Sequence, residues 1–308
     1  MRVFKRGRSG AMALAMAAIL VASGAACRGE TPSPRLATVN GHPVLQRDVD
    51  LELLLLLSGS RQPTPADRAQ ALERVIDRTL VAKFVATKGT DPLAEDVENR
   101  LQIIRRGIES GGDTLEAVLG RLKLTEADLR QAAQLSVSWE AYVRRTLTEK
   151  EIREHFESHR KQFDGTKVRI RQIVRTIPTT GPPAEWEAAE KLLTDLRQQI
   201  QAGKIDFAAA AAAHSMGPSA KQGGDVGLIG YHGGVPAPVT AAAFALKVGE
   251  VSPPVRSAVG VHLVQTTERI AGELSLEDAR LAVRGELGEQ LWEKTVKTLR
   301  AKAKLTRD

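Results

Sequence analysis

Cysteine occurs once in the 308 residues, at Cys27, so no disulfide can close within the chain. The six histidines are scattered, and none pairs with a cysteine at metal-ligand spacing. No glycine-rich phosphate loop and no Ser/His/Asp or Cys/His nucleophile pattern is present. No internal repeat or long heptad array appears, which removes the main support for a purely structural role. Positive charge is also scarcer than the net +7 suggests, because Arg2, Lys5, Arg6 and Arg8 supply four of those charges. Without them the balance is +3, too small a surplus to point to nucleic acid.

The first residues carry a different message. Those four basic residues precede an apolar run, Ala11 to Ala22, too short for a stable membrane span, and then the small residues Gly24-Ala25-Ala26. Residues 1–26 are therefore expected to be an export signal. Cys27 stands where a bacterial lipoprotein carries its acylated cysteine, and the stretch resembles a lipobox, with Gly24 where an aliphatic residue is usual. Two readings stay open: a lipid anchor at Cys27, or ordinary cleavage near Ala25 or Ala26. Residues 27–35, with Pro32 and Pro34, read as a tether.

Leu36 to Val44 reads as strand, with Asn40-Gly41 as a turn. Helical periodicity follows. Leu51 to Leu57 is either a buried helix or a surface that meets unfolded chains. Thr64-Pro65-Ala66-Asp67 starts a helix with Leu72, Val75, Ile76, Leu80 and Phe84 on one face. Further helices carry Leu93 to Ile108, Leu115 to Leu122, and, after Thr125, an apolar side of Leu129, Ala132, Leu135, Trp139 and Val143. Thr148-Glu149-Lys150-Glu151 is a capping box for a helix expected to run to Phe163. A helical unit over 36–163 results. Ser275 caps a last helix, in which Gly285 and Gly288 each cost about 1 kcal/mol relative to alanine.

Between these lies a segment of mixed pattern. Val168 to Ile177 is a strand with Val168, Ile170, Gln172 and Val174 on one face and Arg169, Arg171 and Arg175 on the other. Helices are expected at 184–202, 207–214 and about 240–246. Strands follow Gly223-Gly224-Asp225 and cover Gly260-Val261-His262-Leu263-Val264. Alanines at 208–213 would let their helix approach the sheet closely.

Phe207, Ser215, Gly223-Gly224-Asp225-Val226-Gly227, Ala243-Phe244-Ala245-Leu246, the Gly249-Glu250 turn and Gly260-Val261-His262 occur in an ordered set. Over 166–271 this set resembles the parvulin family of peptidyl-prolyl cis/trans isomerases. The flanking helices, from Val39-Asn40-Gly41 through Val75-Ile76-Asp77, resemble the N-terminal domain of SurA-like and PrsA-like secreted chaperones. The resemblance implies an α+β fold. A helical chaperone core, closed by 274–308, would hold an inserted parvulin domain of four antiparallel strands surrounded by helices. It implies proline-containing or unfolded polypeptide clients, no cofactor, and a periplasmic location.

Crossing the X–Pro barrier of about 18–20 kcal/mol breaks no covalent bond. A catalyst needs an apolar slot for the ring and polar groups that favour the twisted amide. By resemblance, His262 is the last-strand histidine of the active cluster, and Gln172 stands where a second histidine is expected. Ser215, Val226, Val239 and Phe244 would meet substrate, with Val239 replacing an aromatic floor. Gly217 replaces an acidic or thiol residue. These departures leave two expectations: a weak isomerase that is also a chaperone, or a non-catalytic holdase using the domain for binding.

Overall fold

The computed structural model describes residues 33–57 and 62–308. Asn40 and Gly41 both take positive φ, the geometry of a tight hairpin turn, and fold strand β1 (Arg35–Val39) back on β2 (His42–Leu45). Arg35, the last residue of the expected tether, is thus already in the sheet. Helix α1 (Gln46–Leu57) is apolar on several sides because it lies between two clusters. Leu53 and Leu56 join one with Val39, Val75 and Ile76, while Leu51 and Leu55 join the other with Leu101 and Leu129. Buried Glu52 on the same helix is met by Arg78 at 3.1 Å.

Four helices begin where the sequence places a capping box. These are α2 (Pro65–Ala86), α5 (Glu126–Thr146), α6 (Glu149–Ser158) and α11 (Leu276–Arg300). In each, a Thr or Ser hydroxyl accepts from the N3 backbone N–H and the N3 carboxylate accepts from the cap N–H. Helices α3 (Ala94–Ser110) and α4 (Leu115–Leu122) pack with α5. The helix expected to reach Phe163 breaks at His159, and a short α7 (Arg160–Phe163) follows. The core face of α5 also differs from expectation. Leu129, Ala133, Val137 and Val143 are buried, whereas Ala132, Leu135 and Trp139 are only half-buried, because α5 meets α3 on one side and α11 on another.

The last helix returns to this body. Val283 and Ala279 join Ile152, Phe156 and Phe163, and Arg300 bonds Glu73 on α2 at 2.9 Å as well as Asp77. A final strand, β7 (Leu305–Arg307), pairs with β1.

The second sheet comprises β3 (Lys167–Thr176), β4 (Asp225–Gly230), β5 (Val255–Ser257) and β6 (Gly260–Ile270), antiparallel in the order β4-β3-β6-β5. Both faces are covered. Helices α8 (Pro183–Gln201) and α9 (Phe207–His214) bury Ile173, Val261 and Leu263. Helix α10 (Ala237–Ala245) buries Val168, Ile170 and Val264 on the other face. It starts three residues before the expected Thr240, since Pro236 and Pro238 fit its entry and first turn.

The crossings between the sheet unit and the helical body run side by side. Leu274 N–H donates to Asp164 O at 2.9 Å and Gly272 N–H to Thr166 Oγ1 at 3.1 Å. A Cβ at Gly272 would stand 2.0 Å from Asp164 O, so only glycine allows this approach.

Candidate functional site

The bend before β4 is built on two left-handed glycines. Gly223 and Gly224 have φ of +67° and +79°. A Cβ on Gly223 would lie 2.7 Å from Ala208 Cβ, and one on Gly224 would lie 3.1 Å from Ala211 Cβ and 2.5 Å from Gln172 O. Glycines on the turn and alanines on α9 are therefore one feature: each removes atoms so that the other can approach. Gly224 O accepts from Gln172 N–H at 2.9 Å, which fixes the backbone that carries the Gln172 side chain.

His262 lies opposite Val174 in the β3–β6 ladder, and Gln172 opposite Val264, so Gln172 and His262 share one face. Their side chains meet, Nδ1 to Oε1 at 3.3 Å. The other ring nitrogen meets Ser257 Oγ at 2.7 Å, and that oxygen also accepts Val259 N–H at 3.1 Å. The tautomer follows. The Ser257 hydroxyl donates to Nε2, and the Nδ1–H donates to Gln172 Oε1. Burial, which leaves His262 2% exposed, pushes its pKa below the ordinary histidine value and keeps the ring neutral.

Ser257 was not anticipated. A serine two residues into a short strand has no distinctive pattern, and only the β5–β6 register brings it to the histidine. Ser215 lies close by but acts on backbone: its Oγ accepts Val174 N–H and Gly217 N–H, both at 3.2 Å. Met216 N–H donates to Val174 O at 2.8 Å, so residues 215–217 are clamped onto β3. At Gly217 a Cβ would stand 2.7 Å from Val174 Cγ1; the valine methyl occupies the space a side chain would need.

The apolar residues divide. Val226 is half-buried against the cluster that includes Val239 and Val264, near the Gln172 side of the sheet. Val239 is fully buried and presents no open floor. Phe244 is displaced from the pair. It sits edge-on to Tyr231 at 5.0 Å, and its carbonyl accepts from Arg269 at 3.0 Å. The neighbouring Ala243 O accepts from Thr266, which stands about 13 Å along the strand from His262. Phe244 thus anchors α10 near the crossings.

A neutral buried histidine carries a pH signature. Its folded pKa lies below that of the unfolded chain, so unfolding takes up a proton as acidity rises. The stability involved is fully present above about pH 6.5 and is lost as pH falls below it towards the depressed folded value. As pH falls below about 6.5, wild type is therefore expected to lose stability more steeply than His262→Gln. Urea midpoints across that range check this; parallel curves would contradict it.

A four-stranded antiparallel sheet covered on both faces, with a polar group centred on a last-strand histidine, defines a parvulin-type domain. Residues 173–268 match the rotamase family described as the PPIC-type PPIASE domain, so the chain carries a peptidyl-prolyl isomerase domain of that type. It is also related to SurA chaperones. One, from Albidiferax ferrireducens, is 38% identical over 125 residues, 41% of this chain and 26% of the relative. Another, from Burkholderia orbicola, is 28% identical over 278 residues, 83% of this chain and 61% of the relative. The chain thus spans between 26% and 61% of the length of these curated relatives. Among solved structures, the peptidylprolyl isomerase PrsA from Bacillus anthracis is similar with a TM-score of 0.45 and 20% identity, over 75% of this chain and 96% of that one.

Proposed function

We propose that this protein is an exported foldase: a peptidyl-prolyl cis/trans isomerase that also acts as a chaperone for unfolded secreted or outer-membrane polypeptides. The observation that carries this reading is neutral His262, held between Gln172 and Ser257 in a PPIC-type domain. Catalysis of this reaction requires no proton transfer and no cofactor. Its demand is a site that holds the prolyl ring and stabilises the amide once conjugation is lost. Here the polar group offers dipoles but no charge, and Gly217 adds no side chain. A positioned donor or charge is worth about 3–4 kcal/mol in other enzymes, so the expected rate is low but measurable.

A coupled prolyl tetrapeptide assay should show this rate, and His262→Ala should lower it further. Suppression of aggregation by the same sample tests the chaperone half. Residues 36–163 with 274–308 form the proposed chaperone core and 166–271 the isomerase unit. Residues 166–271 alone should retain the tetrapeptide activity. Wild type at the uncatalysed rate, with His262→Ala unchanged, would leave a holdase. That second reading is favoured by one observation, the Val174 methyl that fills the place of a side chain at position 217.

The export signal over 1–26 and the acylated cysteine lie outside the described residues. The sequence supports Cys27 as a lipid-bearing first residue anchoring the protein to a membrane in the periplasm. Mass spectrometry of detergent-extracted protein should find an acylated N-terminus at Cys27, and Cys27→Ser should release the protein in soluble form. An unmodified mature chain beginning elsewhere would rule the anchor out.

A further inference from the structure

Three of the six histidines lie in one row of rings that joins the helical body to the sheet unit. His155 stacks on His159 with ring centroids 4.3 Å apart, and Phe163 stands 5.6 Å away on α7. Phe163 in turn meets His232 of the sheet unit at 5.5 Å, and Tyr231 follows at 5.2 Å.

His159 is the single residue between α6 and α7, with φ −120° and ψ 24°, and so marks the break in that helix. Its side chain folds back on the turn before it. Nδ1–H donates to Ser158 Oγ at 2.9 Å and to His155 O at 3.1 Å, while the serine hydroxyl donates to Glu154 O. His155 Nε2–H donates to Glu286 on α11 at 3.1 Å. These bonds set both tautomers. The nitrogens left to take up a proton are His155 Nδ1 and His159 Nε2, neither of them bonded among the described residues.

The surrounding charges accept one imidazolium and oppose a second. Glu286 faces His155 from α11. On α6 and α7, Glu157 is taken by Arg160 at 2.7 Å, and Lys161 enters no ion pair among the described residues. Asp164 accepts Thr166 N–H, α10 carries no charged side chain, and His232 adds a third titratable ring. One carboxylate therefore stands against two stacked rings. Like charges 4.3 Å apart repel strongly unless they separate. His159 is the ring free to leave. Glu286 holds His155, and a cavity of about 370 Å³ opens between residues 157–162 and the Tyr231 and Phe244 side chains. Helix α7 leads directly into Asp164, where the crossing to the sheet unit begins. A shift at His159 thus moves Phe163 and the crossing together.

We propose that the His155–His159 stack is a pH-sensitive latch. Below neutrality both rings carry a proton, His159 swings out, and the sheet unit is released from its fixed angle to the helical body. The open form holds one proton more on this pair than the closed form. Closure is therefore favoured at neutral pH and lost as pH falls. The latch changes the reach and orientation of the isomerase unit and leaves the polar group around His262 as it is.

The test is intramolecular energy transfer in the full chain carrying Cys27→Ser, with dyes on Ser110→Cys and Lys247→Cys, one exposed position in each unit. Between about pH 7.5 and 5.5, where histidine changes charge, the ratio of open to closed form should grow about tenfold or more. Uptake of one proton allows at most about a hundredfold over that range. His159→Gln keeps a donor at the helix break and removes one charge; His155→Phe keeps a stacked ring and removes the other. Each should abolish the response, with far-UV circular dichroism and tetrapeptide isomerase rate at the wild-type level. His262→Gln should retain the response, which separates the latch from loss of the sheet. Equal transfer at the two pH values, or a response that survives both histidine variants, would overturn the proposal. So would a response that His262→Gln removes, or one accompanied by loss of helical circular dichroism. If one of the two latch variants misfolds, the other decides.

Discussion

Gly224→Ala is expected to remove about 3 kcal/mol or more from the stability of the second sheet, a large effect for one methyl group. Two terms add. A left-handed backbone at φ +79° penalises any L side chain by about 1–2 kcal/mol. The new Cβ would also start 2.5 Å from Gln172 O and 3.1 Å from Ala211 Cβ, so β3, α9 or the turn must move. Movement there also threatens the 2.9 Å bond from Gln172 N–H to Gly224 O. Gly203→Ala isolates the first term, because Gly203 has φ +67° but nothing within 4 Å of its added Cβ. It should cost only about 1–2 kcal/mol. Hydrogen exchange of β3 amides, read as local opening free energy, compares the two variants. Equal losses would show that the close approach contributes nothing. A prolyl tetrapeptide assay of the same two variants should show reduced isomerase activity only for Gly224→Ala, because Gln172 is held by that turn.

What the sequence disclosed about this arrangement was the locally encoded part. Capping boxes are contacts three residues apart, so Thr64/Asp67, Thr125/Asp128, Thr148/Glu151 and Ser275/Asp278 were legible before any tertiary structure. The Gly223-Gly224 bend was legible as well, since its geometry demands glycine. The strand β7 was not: its three residues are all exposed, carry no alternation, and pair with β1 across nearly the whole chain. For the same reason Ser257 was missed beside His262, and Phe244 was expected to meet substrate although its partners lie near the crossings. A strand's register is a non-local property, and one residue of slip changes which side chains meet. On α5, periodicity marked an apolar stripe but not how two neighbouring helices divide it. Leu135 and Trp139 consequently border open space rather than core.

Rebuilding a charged site around His262 should fail with the two obvious substitutions and succeed with three. Gln172→His with Gly217→Asp supplies the second histidine and an acid, but a Cβ at 217 would begin 2.7 Å from Val174 Cγ1. That valine is β-branched and 6% exposed on the central strand, so its rotamer has little freedom to yield. Residues 215–217 cannot retreat easily either, because Met216 N–H and Ser215 Oγ tie them to Val174. The double variant is therefore expected to be destabilised by about 1–3 kcal/mol with no gain in rate. Adding Val174→Ala removes the obstructing methyl. Val174 is directly opposite His262 in the ladder, so the carboxylate would enter on the face where the imidazole lies. There it would favour the protonated ring, opposing the desolvation that now holds His262 neutral. The triple variant should isomerise a prolyl tetrapeptide at least about tenfold faster than wild type, within the 10²–10³ that one positioned group can supply. Its activity should also acquire a pH dependence near neutrality that wild type lacks. Val174→Ala alone is the control, expected to lose stability and gain no activity. If the double variant already reached the triple variant's rate, Val174 would not be the obstacle. If the triple variant folded and stayed at the wild-type rate, charge at position 217 would have no part in stabilising the twisted amide here.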